Sequence, residues 1–327
     1  MDRRQLIALG AASALAACGP REPEGEGGST RLRFATDWRA QAEHGGFYQA
    51  LATGLYRQRG LDVRILQGGP GVNVPQLLAS GAAELGMGSS SFIVLNLAEE
   101  GVPVKAVAAF MQKDPWVLIA HPDPAVRSIA DLKGRPILLS DASVTAIWVW
   151  LKARYGFTDD QVRKYTFNAA PFLADKRAVQ QGYLTSEPYT IAQAAGFEPR
   201  VFLLADEGYP GYAALVLAPE RLIQTNAAAV QAFNDASAEG WRSYLEGDPR
   251  TADALILKDN PEMRQDVLDQ ARAKIKSAGI VGSGAEVGRM THERWAEFFR
   301  VASSEGVYPP TLDYRRAYTL DLLPRAG

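Results

Sequence analysis

Residues 31–65, RLRFATDWRAQAEHGGFYQALATGLYRQRGLDVRI, restrict the fold of this chain more than any other stretch. Between Arg31 and Thr36, Leu32 and Phe34 alternate with other residues, as in a strand buried on one face. Phe47, Tyr48, Leu51, Leu55 and Tyr56 recur at helical spacing, and Gly60 ends that helix. Leu61, Val63 and Ile65 then open a second strand. Strand, helix and strand in so short a span form a crossover unit, and parallel strands need helices on their faces. Asp37 and Trp38 fall at the carboxyl end of the first strand, where open α/β sheets bind ligands. With His44 in the following loop, a carboxylate, an indole and an imidazole share one strand end.

The alternation persists along the chain. Strands are expected over 84–88, 104–111, 116–120, 136–139, 165–167, 182–185, 201–204 and 213–218. Helices are expected over 74–80, 89–100, 143–155, 170–180 and 187–195. From 226 onward the pattern is mainly helical, over 226–246, 251–258, 261–277 and 291–304. Alternating β and α signals imply parallel sheets covered by helices, and roughly 300 residues exceed one ordinary core. The simplest plan is α/β with a discontinuous first lobe, 31–118 plus 216–327, and a second lobe, 119–215. Two strand crossings near 117–119 and 215–217 would form the hinge, with a ligand cleft between the lobes.

The amino-terminal residues read as an export signal. Asp2-Arg3-Arg4 precedes an apolar run from Leu6 to Ala17, too short to span a bilayer as a permanent helix. It ends in Leu15-Ala16-Ala17-Cys18, which looks like a lipobox, with Cys18 as the lipidated first residue of a mature protein over a 1–18 signal peptide. Residues 19–30, GPREPEGEGGST, read as a flexible tether. Cys18 is the single cysteine, so on this reading disulfides, cysteine-bound zinc and thiol catalysis are all excluded. His121 and His292 have no metal-ligand spacing, so no metal and no cofactor is expected. With 35 basic and 37 acidic residues and no basic cluster, nucleic acid is not an expected partner.

The opening motif TDWRAQAEHGGFYQALATGLYRQRGLDV resembles that of the thiamine-pyrimidine-precursor receptors, within the nitrate/sulfonate/taurine-type group of ABC-importer binding proteins. Thr36, Asp37, Trp38, His44, Gly46, Tyr48 and Gly60–Val63 match the pattern; Ala40, Gln41 and Gly45 depart from it. A second block, YTFNAAPFLADKRAVQQGYLTSEPYTIAQAAGFEP over 165–199, carries the S-E-P-Y element of the same group. The resemblance implies the type II periplasmic-binding-protein fold, a lipid-anchored extracytoplasmic monomer, and a permease as partner.

Glu187 is expected at a strand-to-helix junction, where the helix N-terminus would hold its carboxylate ionised, with Pro188 in the first turn and Ser186 as a cap. Trp116 and Tyr212 sit near the two crossings, Ser89 and Ser90 at a helix start, and Phe172 and Tyr189 in the second block. Together with Asp37, Trp38 and His44 these make the candidate ligand set. Carboxylates from both lobes would repel an anion, which needs Arg, Lys or a ring of N–H groups. A flat heteroaromatic bearing amines suits them. Stacking contributes roughly 1–3 kcal/mol per base-like ring, and a hydrogen bond to a charged group about 1.5–3 kcal/mol. Two of each, after association costs, support about micromolar binding.

Three other ligand classes are compatible, one of them another nucleobase-like ring. The small residues Ala40 and Gly45 open the loop toward a larger ring system such as a flavin, and an organic sulfonate belongs to the wider group. An enzyme resembling the fungal pyrimidine synthases, which share the opening motif, is the reading from another class. Those enzymes add a cysteine-rich iron motif and a pyridoxal-phosphate lysine, and the single cysteine here is committed to the anchor.

Overall fold

The computed structural model describes residues 28–325. The expected signal peptide, Cys18 and nearly all of the tether lie outside the described residues. In chain order the first segment contains β1 (Thr30–Ala35), α1 (Gly45–Ala52), α2 (Leu55–Gln58), β2 (Leu61–Leu66), α3 (Val74–Ala79), β3 (Leu85–Gly88), α4 (Ser91–Glu99) and β4 (Val104–Met111). The middle segment contains β5 (Trp116–Ala120), β6 (Ile137–Leu139), α5 (Asp141–Val144), α6 (Ile147–Tyr155), β7 (Val162–Lys164), α7 (Ala170–Ala174), β8 (Val179–Tyr183), α8 (Glu187–Ala195) and β9 (Arg200–Leu203). The last contains β10 (Ala213–Pro219), α9 (Glu220–Glu246), α10 (Arg250–Asp259), α11 (Gln265–Ser277) and α12 (His292–Ser304).

These strands form two five-stranded sheets, ordered β2-β1-β3-β10-β4 and β7-β6-β8-β5-β9. β10 runs antiparallel to β3 and β4, and β5 runs antiparallel to β8 and β9. The first strand after each crossing therefore enters the new sheet one place from its edge and against its neighbours. The two α/β lobes expected from the sequence are present. The crossings occupy 112–115 and 204–212, a few residues before the expected positions, because 116–120 and 213–219 are complete strands of the lobes they enter.

Four local expectations are corrected. The helix expected to carry Phe47 through Tyr56 unbroken is divided into α1 and α2 at Gly54, whose φ of 76° is left-handed. Residues 165–167 are not a strand; the strand is β7, and Phe167 has a φ of 59° that no ladder accepts. The expected helix 170–180 stops at Ala174, because Val179 and Gln180 pair with β5 in the sheet. The expected helix 143–155 is broken into α5 and α6 at Ala146, whose φ and ψ of −124° and −98° are not helical.

The first-lobe core forms where β1 meets α1 and α9. Phe34 packs on Phe47 at 4.7 Å and on Phe233 at 5.0 Å, and Tyr56 stacks on Phe233 at 5.0 Å. α1 and α9 approach each other through glycines. A Cβ on Gly46 would enter the Trp241 ring, one on Gly45 the Tyr244 ring, and one on Gly240 the backbone of α1. This close crossing fixes the start of α1, and His44 precedes it directly. Among the described residues no helix is long and apolar enough to cross a membrane.

Candidate functional site

The loop after β1 is held from several sides. Thr36 Oγ1 donates to the Trp38 carbonyl at 2.9 Å, and Gly68 N donates to the same carbonyl at 3.1 Å. Gly68 is required there, since a Cβ would collide with the Thr36 and Asp37 backbone. Further on, Ala40 N donates to Gln67 Oε1 at 3.0 Å and Asn260 Nδ2 donates to the Ala40 carbonyl at 2.9 Å. The loop is thereby fixed to β2's end and to α10, and it presents Asp37, Trp38, Glu43 and His44 toward the second lobe.

His44 is fully buried, with Nε2 3.4 Å from Asp37 Oδ1. Both His44 nitrogens and Asp37 Oδ1 lack a hydrogen-bond partner. Buried polar atoms are nearly always paired, so these three, with only the 3.4 Å contact between two of them, make this strand end a candidate for receiving a polar ligand. Glu43, which the sequence does not distinguish from an ordinary loop acid, is 3% exposed and accepts a hydrogen bond from Thr185 Oγ1 of the other lobe. Burial pushes its pKa up; Thr185, its own backbone N–H and His44 oppose that rise, and the Asp37 charge adds to it.

On the second lobe, Glu187 opens α8 and its Oε2 accepts from Tyr183 N at 2.8 Å. Gly182 admits it, since a Cβ there would crowd both Glu187 and Ile119. Burial works against the helix end at Glu187: it outweighs the local N–H groups and raises the pKa, with the Glu43 charge adding to the rise. Ser186 does not cap α8 either; its hydroxyl supports the Glu187 carboxyl instead. Tyr165, buried, places its hydroxyl against Glu187. Asp37 thus acts on Glu43 within the first lobe, and Glu43 acts on Glu187 across the cleft. The Trp38 ring lies 5.3 Å from that of Phe167, so aromatic faces from both lobes meet at the same place.

Trp116 begins β5 with Nε1 buried and unpartnered, and its ring meets Tyr183 edge-on at 5.0 Å. Beside it Asp114, fully buried in the first crossing, accepts from Trp116 N at 3.2 Å, and burial raises its pKa well above the usual range. The second crossing is held by Arg294 of α12. It donates to the carbonyls of Pro210 at 2.9 Å and Gly211 at 2.7 Å, and lies 4.0 Å over the Tyr212 ring.

Of the residues expected from the sequence, Asp37, Trp38, His44 and Glu187 are brought together, with Trp116 at the hinge end. Others are placed elsewhere. Phe172 is fully buried in the second lobe, stacked on His121 at 4.3 Å. Tyr212 is buried under Arg294, and its hydroxyl accepts from Thr291 N at 3.1 Å. Tyr189 Oη donates to Asp266 Oδ2 at 3.0 Å, on a seam between α8 and α11. Along the same seam Gln270 Nε2 donates to the Thr185 carbonyl at 2.5 Å and Arg264 to Gln193 Oε1 at 2.9 Å. Ser90 precedes α4 without a side-chain cap bond, and Ser89 is half-buried beside it. Ser91 makes the contact instead, accepting at Oγ from Tyr212 N at 2.9 Å. Gly45 faces Tyr244 inside the first lobe, so its small size serves helix packing rather than a wider ligand loop. Among the described residues no group of His, Cys, Asp and Glu is arranged to hold a metal ion.

Comparison with known proteins agrees with this architecture. The chain is 27% identical over 296 residues to the riboflavin-binding protein RibY of Chloroflexus aurantiacus, covering 85% of this chain and 82% of that protein. It is 25% identical over 238 residues to the formylaminopyrimidine-binding protein of Halalkalibacterium halodurans, covering 71% and 70%. The periplasmic aliphatic sulphonate binding protein SsuA of Escherichia coli superposes with a TM-score of 0.65 at 16% identity over 94% of both chains, a likeness of fold alone. The two sheets, the paired crossings and the cleft are therefore those of the periplasmic-binding-protein fold. The NMT1/THI5-like family model matches residues 41–252, more than half of the chain, and the chain belongs to that family.

Proposed function

We propose that this protein is the substrate-binding component of an ABC importer and captures a small, flat, amine-bearing heteroaromatic, of the thiamine-pyrimidine-precursor class. The observation that carries this reading is the convergence of three carboxyl groups, Asp37, Glu43 and Glu187, with the Trp38 and Phe167 rings at the meeting of the lobes. The charged groups acting most strongly on Glu43 are His44 and Asp37, and the one acting on Glu187 is Glu43. Neither lysine nor arginine is among them, so these groups offer none of the charge-assisted donors that a sulfonate or nitrate needs. Amine hydrogens on a ring would meet acceptors, and the ring faces would meet aromatic side chains. Binding would favour the closed arrangement of the lobes, and that arrangement would dock on a permease outside the cytoplasm. In this reading the protein is a monomeric receptor held at the membrane through lipidated Cys18, it binds and releases without chemistry, and it uses no cofactor.

Calorimetric titration with 4-aminopyrimidines bearing hydroxymethyl, aminomethyl or formylaminomethyl groups tests the assignment. Micromolar or tighter binding is expected; no heat with any of them, alongside clear binding of taurine, overturns it. A second reading, riboflavin, is favoured by the riboflavin-binding relative, whose similarity extends over more of the chain than that of the pyrimidine-binding one. Quenching of riboflavin fluorescence in the same titration separates the two.

A further inference from the structure

Phe167 combines two properties that its packing does not explain. It is 57% exposed, one of two large exposed apolar side chains among the described residues. Its φ of 59° lies in the left-handed region, which a bulky aromatic residue rarely adopts. A buried ring can hold such a backbone by the burial it gains; an exposed ring gains little. Retained strain of this kind concentrates at ligand clamps and switch regions.

The left-handed backbone directs the ring across the cleft. Phe167 stands 5.3 Å from Trp38 of the other lobe, at an interplanar angle of 40°. On its own lobe it stands 5.3 Å from Tyr165, at 51°. Tyr165 in turn has its hydroxyl against Glu187, and Trp38 follows Asp37 in sequence. Three rings, Trp38, Phe167 and Tyr165, therefore run across the cleft and end at the Glu187 carboxyl. At 5.3 Å the Trp38 and Phe167 faces leave no room for a third ring between them, which needs about 7 Å from face to face. The pair can cover a ligand or part to admit one.

We infer that Phe167 is a gate for the ligand cleft, closing on Trp38 over a bound flat ring and setting the preference for aromatic over aliphatic ligands. This rests on the reading of a ring-shaped ligand proposed above, without depending on which ring. Opening the gate lets Phe167 leave its left-handed conformation, so the strain favours opening, while contact with Trp38 and the ligand favours closing. The gate then governs how long the ligand stays rather than how fast it arrives.

The test is stopped-flow and equilibrium binding of whichever ring ligand the wild-type protein takes, aminopyrimidine or riboflavin, to Phe167→Leu, Phe167→Tyr and Phe167→Gly. Phe167→Leu, apolar but without a ring face, is expected to raise Kd about tenfold through koff with kon unchanged. Phe167→Tyr restores most of that loss. Phe167→Gly loses the same affinity but raises the melting midpoint, because it removes the strain together with the ring. Phe167→Leu binding with the wild-type koff overturns the gate. A wild-type protein that binds no ring ligand overturns the ligand reading and the gate with it, and that result is visible before any variant is made.

Discussion

Thr185→Val isolates the hydrogen bond that joins the lobes at Glu43. The two side chains have nearly the same shape, so the substitution removes a hydroxyl and little packing. Thr185 is 1% exposed and Glu43 3% exposed, so no solvent replaces the lost donor while the lobes are closed. A buried acceptor left without its partner costs about 1–3 kcal/mol. That cost falls on the closed state alone, because in an open cleft water solvates Glu43. Closure weakened by that amount raises Kd by roughly 5- to 150-fold, mainly through koff. Small-angle scattering of the ligand-free protein should show a larger radius of gyration at the same time. Adding Glu43→Gln to Thr185→Val should recover part of the loss, since a neutral amide tolerates the missing donor better than a carboxylate does; a coupling of about 0.5–3 kcal/mol is expected from the double-mutant cycle. The effect also depends on pH. Burial raises the Glu43 pKa in the closed state above its ordinary value of about 4.3, so closure takes up a proton. Its contribution to closure is therefore complete below the ordinary value and is lost as pH rises through the raised one. Glu187, raised by burial in the same way, acts in the same direction. The closed fraction of the ligand-free protein should thus be larger at pH 5 than at pH 8, and Glu43→Gln should flatten that difference. If Thr185→Val leaves Kd, scattering and the pH profile as in wild type, the cross-lobe bond plays no part in closure and the reasoning fails.

Three other perturbations follow from the same geometry. Asp37→Asn replaces a charged acceptor by a neutral amide beside His44 Nε2 and should weaken binding of an aminopyrimidine by about 1–2 kcal/mol, read by calorimetry, with the melting midpoint shifted by only a few degrees. Tyr189→Phe removes an exposed hydrogen bond to Asp266 and should change Kd less than about threefold; a tenfold loss would return Tyr189 to the ligand. Gly46→Ala drives a methyl into the Trp241 ring where α1 crosses α9, and overpacking of that kind costs about 1–3 kcal/mol, seen as a lower midpoint in thermal unfolding.

Much of the fold was legible because the hydrophobic periods are local. Leu32 and Phe34 on a period of two and Phe47, Tyr48, Leu51 and Leu55 on a helical period report burial directly, and β4, β5 and α8 have the expected limits. Where prediction failed, long-range pairing overrode local preference. Val179 and Gln180 read as helix but are claimed by β5, 60 residues or so upstream, whose ladder they complete. The crossings were displaced for a related reason: an apolar run states that a strand is buried without stating which sheet buries it.

Within the site, Asp37, Trp38, His44 and Glu187 could be named from strand-end and helix-start positions, since those positions are written in the chain. Glu43 could not be separated from an ordinary polar loop residue, because its burial appears only in the folded chain. Only the folded molecule shows that it meets Thr185, 142 residues away. Phe167 lies within a motif of the sequence, but its left-handed backbone and its partner Trp38 are properties of the assembled cleft. The sequence alone determined the two α/β lobes and the family likeness, because periodicity, glycine stops and motif residues act over a few positions. Tertiary structure decided which acids and rings share the cleft, and that the Glu43 and Glu187 carboxyls are pushed toward the protonated form, because burial and charge act between side chains that only folding brings within reach.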